Sequence, residues 1–294
     1  MRRERGAFAG FAAPSPGDHA GMRAFIKLSL LAALVGLLLP HAARADLMLF
    51  PTRIVFDQQR AAQVELMNQG KTPETYRIRL VNRRMGPNGE FIAIDQPGPG
   101  EQFADALLRY SPRQVTIPPG GSQIVRILLR KPEGLASGEY RSHLQFDRVA
   151  EASGASSVED LARRGPQGVG VSIQALVGAS IPVIVRQGDT QARLGLAELA
   201  VQPSGLLSFE MRREGNASVY GDLLATFTTT AGVTFEVARA GGVAVYVPNA
   251  SRHVQLPLQL PAGKALPAGT LKLAFHERPE AGGKLLAEAS LALP

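Results

Sequence analysis

The stretch Val169-Gly-Val-Ser-Ile-Gln-Ala-Leu-Val-Gly-Ala-Ser-Ile-Pro-Val-Ile-Val-Arg186 places an apolar residue at every odd position from Val169 to Val185. Period two is the mark of a strand with one buried face. At about 3.3 Å per residue it would span roughly 55 Å, against about 17–20 Å for an ordinary strand. A strand of that length overruns its own sheet or bends between two.

Upstream the same period recurs. Met48, Phe50, Ile54 and Phe56 share one parity, so do Ala62, Val64 and Leu66, and Tyr76, Ile78 and Leu80 alternate with Arg77 and Arg79. Gly86-Pro87-Asn88-Gly89 reads as a tight turn into a short strand at Phe91, Ala93 and Ile94. Pro118-Pro119-Gly120-Gly121 separates the next pair. There Val125, Ile127 and Leu129 alternate with Ile124, Arg126 and Arg130, and Tyr140, Leu144 and Phe146 with Arg141, His143 and Asp147. Half-buried strands between turn signals read as an antiparallel β-sandwich, with the basic and polar residues on its wet face.

Residues 151–168 lapse into Ala, Ser, Gly, Arg and Pro and read as a long exposed loop with a weak helical hint at Val158–Ala162. Gln187-Gly188-Asp189-Thr190 is a polar break. Beyond it, Leu207 to Met211, Leu223 to Phe227, Val233 to Val237, Val243 to Tyr246, Val254 to Leu260 and Leu271 to Phe275 give a second set of short strands. A second all-β domain follows, and the near-absence of helical periodicity argues against an α/β enzyme.

The N-terminal segment bears on location. Arg23 and Lys27, the apolar run Leu28–Leu39, and Ala43-Arg44-Ala45 form the charged, hydrophobic and small-x-small parts of a secretory signal peptide at residues 22–45. Residues 1–21 read as an upstream extension or a misplaced start. Cleavage after Ala45 removes six basic and two acidic residues, so the formal charge falls from +7 to +3. That is no electrostatic footprint for nucleic acid. With no cysteine in the chain there is no disulfide, thiolate nucleophile or iron–sulfur cluster. The organisation expected is a domain over 46–186, a linker at 187–192 and a second domain over 193–294.

Little points to catalysis. His143, His253 and His276 stand at no metal-ligand spacing, and His143 and His253 read as solvated sheet-surface side chains. No Gly-x-Ser-x-Gly, P-loop or dinucleotide motif occurs, and no metal or cofactor is expected. Arg53 stands out, since it shares parity with Leu49, Pro51 and Val55. Such a cation either keeps its head in water at a sheet edge or requires an anionic partner. Alternation leaves both open.

Four segments then carry a resemblance: Thr52-Arg53-Ile54-Val55-Phe56, Pro118 to Arg126, Gly138-Glu139-Tyr140-Arg141-Ser142-His143-Leu144, and Ser180-Ile181-Pro182-Val183-Ile184-Val185-Arg186. In that order, after a signal peptide, they resemble the periplasmic pilus-assembly chaperones of the PapD-like family. The resemblance covers essentially all of residues 46–294. The second domain, with Gly215 to Asp222 and Ala244 to Pro248, looks most like the archaic, spore-coat-U-like branch.

The resemblance implies an all-β chain of two immunoglobulin-like sandwiches in an L-shaped arrangement, with a pilin subunit held in the cleft. It implies donor-strand complementation, a form of β-augmentation, and delivery of the subunit to an outer-membrane usher. The donor side chains would be Val171, Ile173, Ala175 and Val177. The three branched ones would give roughly 5 to 9 kcal/mol gross before ordering costs, while Ala175 would fill its pocket poorly. Arg53 matches the cleft arginine that binds the subunit's C-terminal carboxylate. Pro182 stands where the family has a second cation, a role open to Arg77, Arg79 or Arg141. Glu139 and Arg186 match an interdomain salt bridge, its second-domain member unassigned. A non-enzymatic periplasmic chaperone for fimbrial subunits is the reading. The alternatives are a secreted β-sandwich adhesin or structural surface protein, and a periplasmic hydrolase on a sandwich scaffold.

Overall fold

The computed structural model describes residues 46–149, 178–260 and 266–294. The signal segment, the loop expected at 151–168 and the donor positions Val171, Ile173, Ala175 and Val177 lie outside the described residues.

The first sandwich contains β1 (Leu47–Phe50), β2 (Ile54–Phe56), β3 (Ala61–Asn68), β4 (Glu74–Val81), the hairpin β5 (Arg83–Met85) and β6 (Phe91–Ala93), β7 (Leu108–Ser111), β8 (Gln114–Ile117), β9 (Ser122–Leu129), β10 (Gly138–Arg148) and β11 (Ala179–Gln187). One sheet has the order β1-β3-β9-β7 and the other β2-β11-β10-β4-β8. With β1, β3, β4, β7, β9, β10 and β11 as strands A to G, these are the A-B-E-D and G-F-C sheets of an immunoglobulin-like sandwich. Val64, Leu66, Val125 and Ile127 of one sheet face Phe56, Ile78, Leu144, Phe146 and Val183 of the other across a fully buried core.

The second sandwich contains β12 (Ala192–Val201), β13 (Leu206–Gly215), β14 (Val219–Thr229), β15 (Thr234–Val245), β16 (Ser251–Pro257), β17 (Gly269–Glu277) and β18 (Leu285–Leu293). Its sheets run β12-β13-β16 and β15-β14-β17-β18, an immunoglobulin-like arrangement in which β15 extends the C-F-G sheet. Phe209, Met211, Phe227, Leu273 and Phe275 fill its core. Residues 46–294 form one compact unit, and no helix among the described residues is long and apolar enough to cross a membrane.

Four readings of the pattern need correction. Met48 and Phe50 do not share a face with Ile54 and Phe56: they are exposed, Phe50 at 73%, while Leu47 and Leu49 pack on the core. The chain changes sheets through Pro51, Thr52 and Arg53, so parity is not carried across. The two strands read at Val233–Val237 and Val243–Tyr246 are one bulged strand, β15 (Thr234–Val245), its bend taken by Gly242 at φ +70°. The strand read to Leu260 ends at Pro257. Finally, β10 is buried along both faces from Gly138 to Phe146, with His143 only 1% exposed rather than solvated.

Candidate functional site between the sandwiches

The outer face of β10 carries Glu139, Arg141, His143 and Gln145 in a row, spaced by two as a strand requires. What covers that row is the β5–β6 hairpin and the second sandwich. Met85, Ile184, Ala244 and Tyr246 form a small buried cluster there, joined by Val55 and Tyr220. Tyr220 and Tyr246 sit in the Gly215–Asp222 and Ala244–Pro248 segments of the second sandwich.

Arg53, at the sheet switch, lays its guanidinium over the Tyr220 ring, 4.4 Å from the centroid. Arg141 lies over the Tyr246 ring at 4.3 Å and donates from Nη2 to the Arg83 carbonyl at 3.1 Å. Among the described residues neither guanidinium bonds a carboxylate. Among the described residues, seven buried side-chain nitrogens lack a partner, and they belong to Arg53, Arg83, Arg141, His143 and Arg252. All five line this region. Buried donors are almost always paired, so the concentration here marks a place built to face acceptors.

The electrostatics agree. Burial lowers the Arg53 and Arg141 pKa values, opposed first by the Tyr246 phenol and then by Glu139. Burial also raises the Tyr246 phenol against the pull of the two arginines. Burial, reinforced by Arg141 and Arg83, holds His143 down at about 3, so it stays neutral and edge-stacks on Phe91 at 4.9 Å. The region is thus cationic, aromatic and dry, suited to an anion with a flat, charge-dispersed head.

Glu139 and Arg186 face each other on neighbouring strands of the first sandwich at 3.3 Å. The reach across to the second sandwich is made by Ser218, whose N–H donates to Glu139 Oε2 at 2.9 Å and whose hydroxyl donates to Oε1. Arg186 Nη2 in turn reaches the Ser218 carbonyl at 3.4 Å. The second-domain member is therefore a turn serine. Sequence reasoning missed it, although the motif held the signal: Gly215, at φ +97°, has no room for a Cβ against the Gln191 carbonyl. That glycine shapes the turn presenting Ser218.

Of the candidates for a second cation, Arg79 pairs with Asp147 at 2.6 Å on the surface and Arg77 is exposed, whereas Arg141 enters the region. Beside it, β11 pairs with β10 along its whole length but with β2 only over Val183–Val185. Ala179 to Pro182 therefore have no strand neighbour on their outer edge among the described residues.

No family model matches the chain, and no curated protein matches it. Solved structures similar to it include the Pseudomonas aeruginosa CupB2 chaperone, at 13% identity and a TM-score of 0.43 over 83% of this chain and 98% of that one. The class 5 fimbriae chaperone CfaA is similar at 13% identity and a TM-score of 0.41, over 84% and 99%. The E. coli chaperone DraB is similar at 16% identity and a TM-score of 0.39, over 84% and 98%. At such values the reading of the site rests on this chain's own residues.

Proposed function

We propose that this chain is a non-enzymatic periplasmic chaperone that holds pilus or fimbrial subunits and passes them to an outer-membrane usher. The observation that carries the reading is Arg53: a guanidinium with two buried, unpartnered nitrogens, stacked on Tyr220 between two immunoglobulin-like sandwiches. A subunit's C-terminal carboxylate is the acceptor that fits it, contributing about 1.5–3 kcal/mol and fixing register. Arg141 is the second cation, in place of the one that Pro182 displaces. The edge at Ala179–Pro182, which has no strand neighbour among the described residues, supports strand addition, and the donor side chains proposed for it are Val171, Ile173, Ala175 and Val177. Glu139, Arg186 and Ser218 hold the sandwiches around the anchor.

The test is expression of residues 22–294 in the native host, wild type and Arg53→Ala, followed by periplasmic capture and mass identification. Wild type is expected to retain a small, β-rich secreted subunit that folded Arg53→Ala loses. Equal capture by both forms rejects the anchor. A protein that emerges alone and self-associates or binds a surface ligand is an adhesin instead.

A further inference from the structure

We propose that the β5–β6 hairpin is a strut extended by the first sandwich onto the second, which fixes the relation of the two and thereby assembles the Arg53–Tyr220 and Arg141–Tyr246 pairs. Its importance for binding rests on the anchor reading above; its mechanical role does not.

The hairpin's own ladder is three residue pairs, Arg83–Ala93, Arg84–Ile92 and Met85–Phe91. A ladder that short does not hold its shape without a surface to pack on. It is braced to the first sandwich by the two-pronged Arg84–Glu101 pair at 2.7 Å, by Arg83 donating to Gln145 at 2.8 Å, and by Phe91 on His143. It is braced to the second by His253 N–H donating to the Pro87 carbonyl at 2.8 Å and by Asn249 Nδ2 donating to the Met85 carbonyl at 3.0 Å. Phe91 reaches Tyr246 at 6.0 Å, and Met85 packs with Tyr246 and Ala244. At the tip, Gly89 adopts φ +92°, and a Cβ there would stand 2.2 Å from the Arg252 guanidinium carbon. Arg252 is itself tied to the Ala244 carbonyl at 2.8 Å. Toward the second sandwich it is the hairpin's backbone that makes the contact, through the Met85 and Pro87 carbonyls, as a spacer of fixed length requires. Since each anchor pair takes its cation from one sandwich and its ring from the other, neither forms unless that spacing holds.

A chain without cysteine accepts spin labels cleanly. Labels at exposed Gln123 and Ser290 report the distance between sandwiches in wild type and in Phe91→Ala/Asn249→Ala, while amide exchange of β9 and β17 checks that each sandwich is intact. Wild type should give one narrow distance and the double variant a broadened distribution. A synthetic peptide of alternating apolar residues, with a free or an amidated C-terminus, reads the anchor. Wild type should prefer the free acid by about tenfold, the low end for a charge-assisted hydrogen bond, and the variant should lose that preference. An unchanged distance distribution overturns the strut. A broadened one with the preference intact overturns its role in assembling the anchor. No preference in wild type refutes the anchor reading alone, and the strut is then decided by the distances.

Discussion

Glu139 on β10 accepts hydrogen bonds from both the backbone N–H and the hydroxyl of Ser218, 79 residues later, so one carboxylate of the first sandwich closes a turn of the second. Glu139 is only 4% exposed. Glu139→Ala strands both Ser218 donors and leaves Arg186 only the Ser218 carbonyl and the more distant Asp57, and is expected to destabilise by about 3 kcal/mol, as breaking a buried pair does. Calorimetry should resolve a single transition into two, one per sandwich. Glu139→Gln, which keeps one acceptor, should lie between.

Arg53 behaves oppositely. Its burial without a carboxylate makes the charged form costly in the free protein, which is why its pKa is lowered. Arg53→Met, which keeps apolar bulk on Tyr220, is expected to leave the melting temperature unchanged or raise it. Affinity for a carboxylate-ended partner should fall by roughly 10- to 100-fold. Titration with the captured subunit measures the fall.

His143 makes stability depend on acid. Its folded pKa of about 3 lies below its ordinary value of 6.5, so the unfolded chain binds a proton first as pH drops. The folded state therefore loses stability from pH 6.5 downward, and the loss is complete near pH 3, at roughly 5 kcal/mol. Above pH 6.5 the group contributes no slope. Denaturant titrations of His143→Phe should show a flatter dependence between those limits, while an identical slope would clear His143 of the effect.

Two glycines separate packing from chain entropy. A Cβ at Gly221 would lie 2.0 Å from the His276 carbonyl and 2.8 Å from the Phe275 ring, both fixed in the β14–β17 pairing. Gly221→Ala should cost about 1–3 kcal/mol through overpacking. Gly195 meets nothing within 4 Å, and Gly195→Ala should stabilise by about 0.4–1 kcal/mol by restricting the unfolded chain. Urea midpoints for the two variants should move in opposite directions.

Alternation revealed the sandwich where one face is wet. Val64 and Leu66, or Val125 and Ile127, could be read directly because their neighbours in sequence meet water. It failed on β10, since Arg141, His143 and Gln145 look like a solvated face and become an interior only when the hairpin and second sandwich cover them. β12 and β18 escaped notice because small Ala and Gly residues blunt their contrast, and in β12 a bulge at Glu198, φ +56°, resets the phase. At the site, Arg53 was conspicuous as a cation among apolar residues. Tyr220, Tyr246 and Ser218 were not, because their meaning lies in partners from the other sandwich.

The row of covered arginines gives the joint between the sandwiches a particular temperament. Arg53, Arg83, Arg141 and Arg252 each bury at least one nitrogen with no acceptor among the described residues. Their dehydration pushes the two halves apart while ring stacking and Glu139 draw them together. Under the proposed anchor reading, a joint balanced in that way is a loaded spring with an anionic catch. On that reading it would stiffen when a subunit's carboxylate enters and soften when the contacts across it are weakened, so the molecule's rigidity would report whether the anchor is occupied.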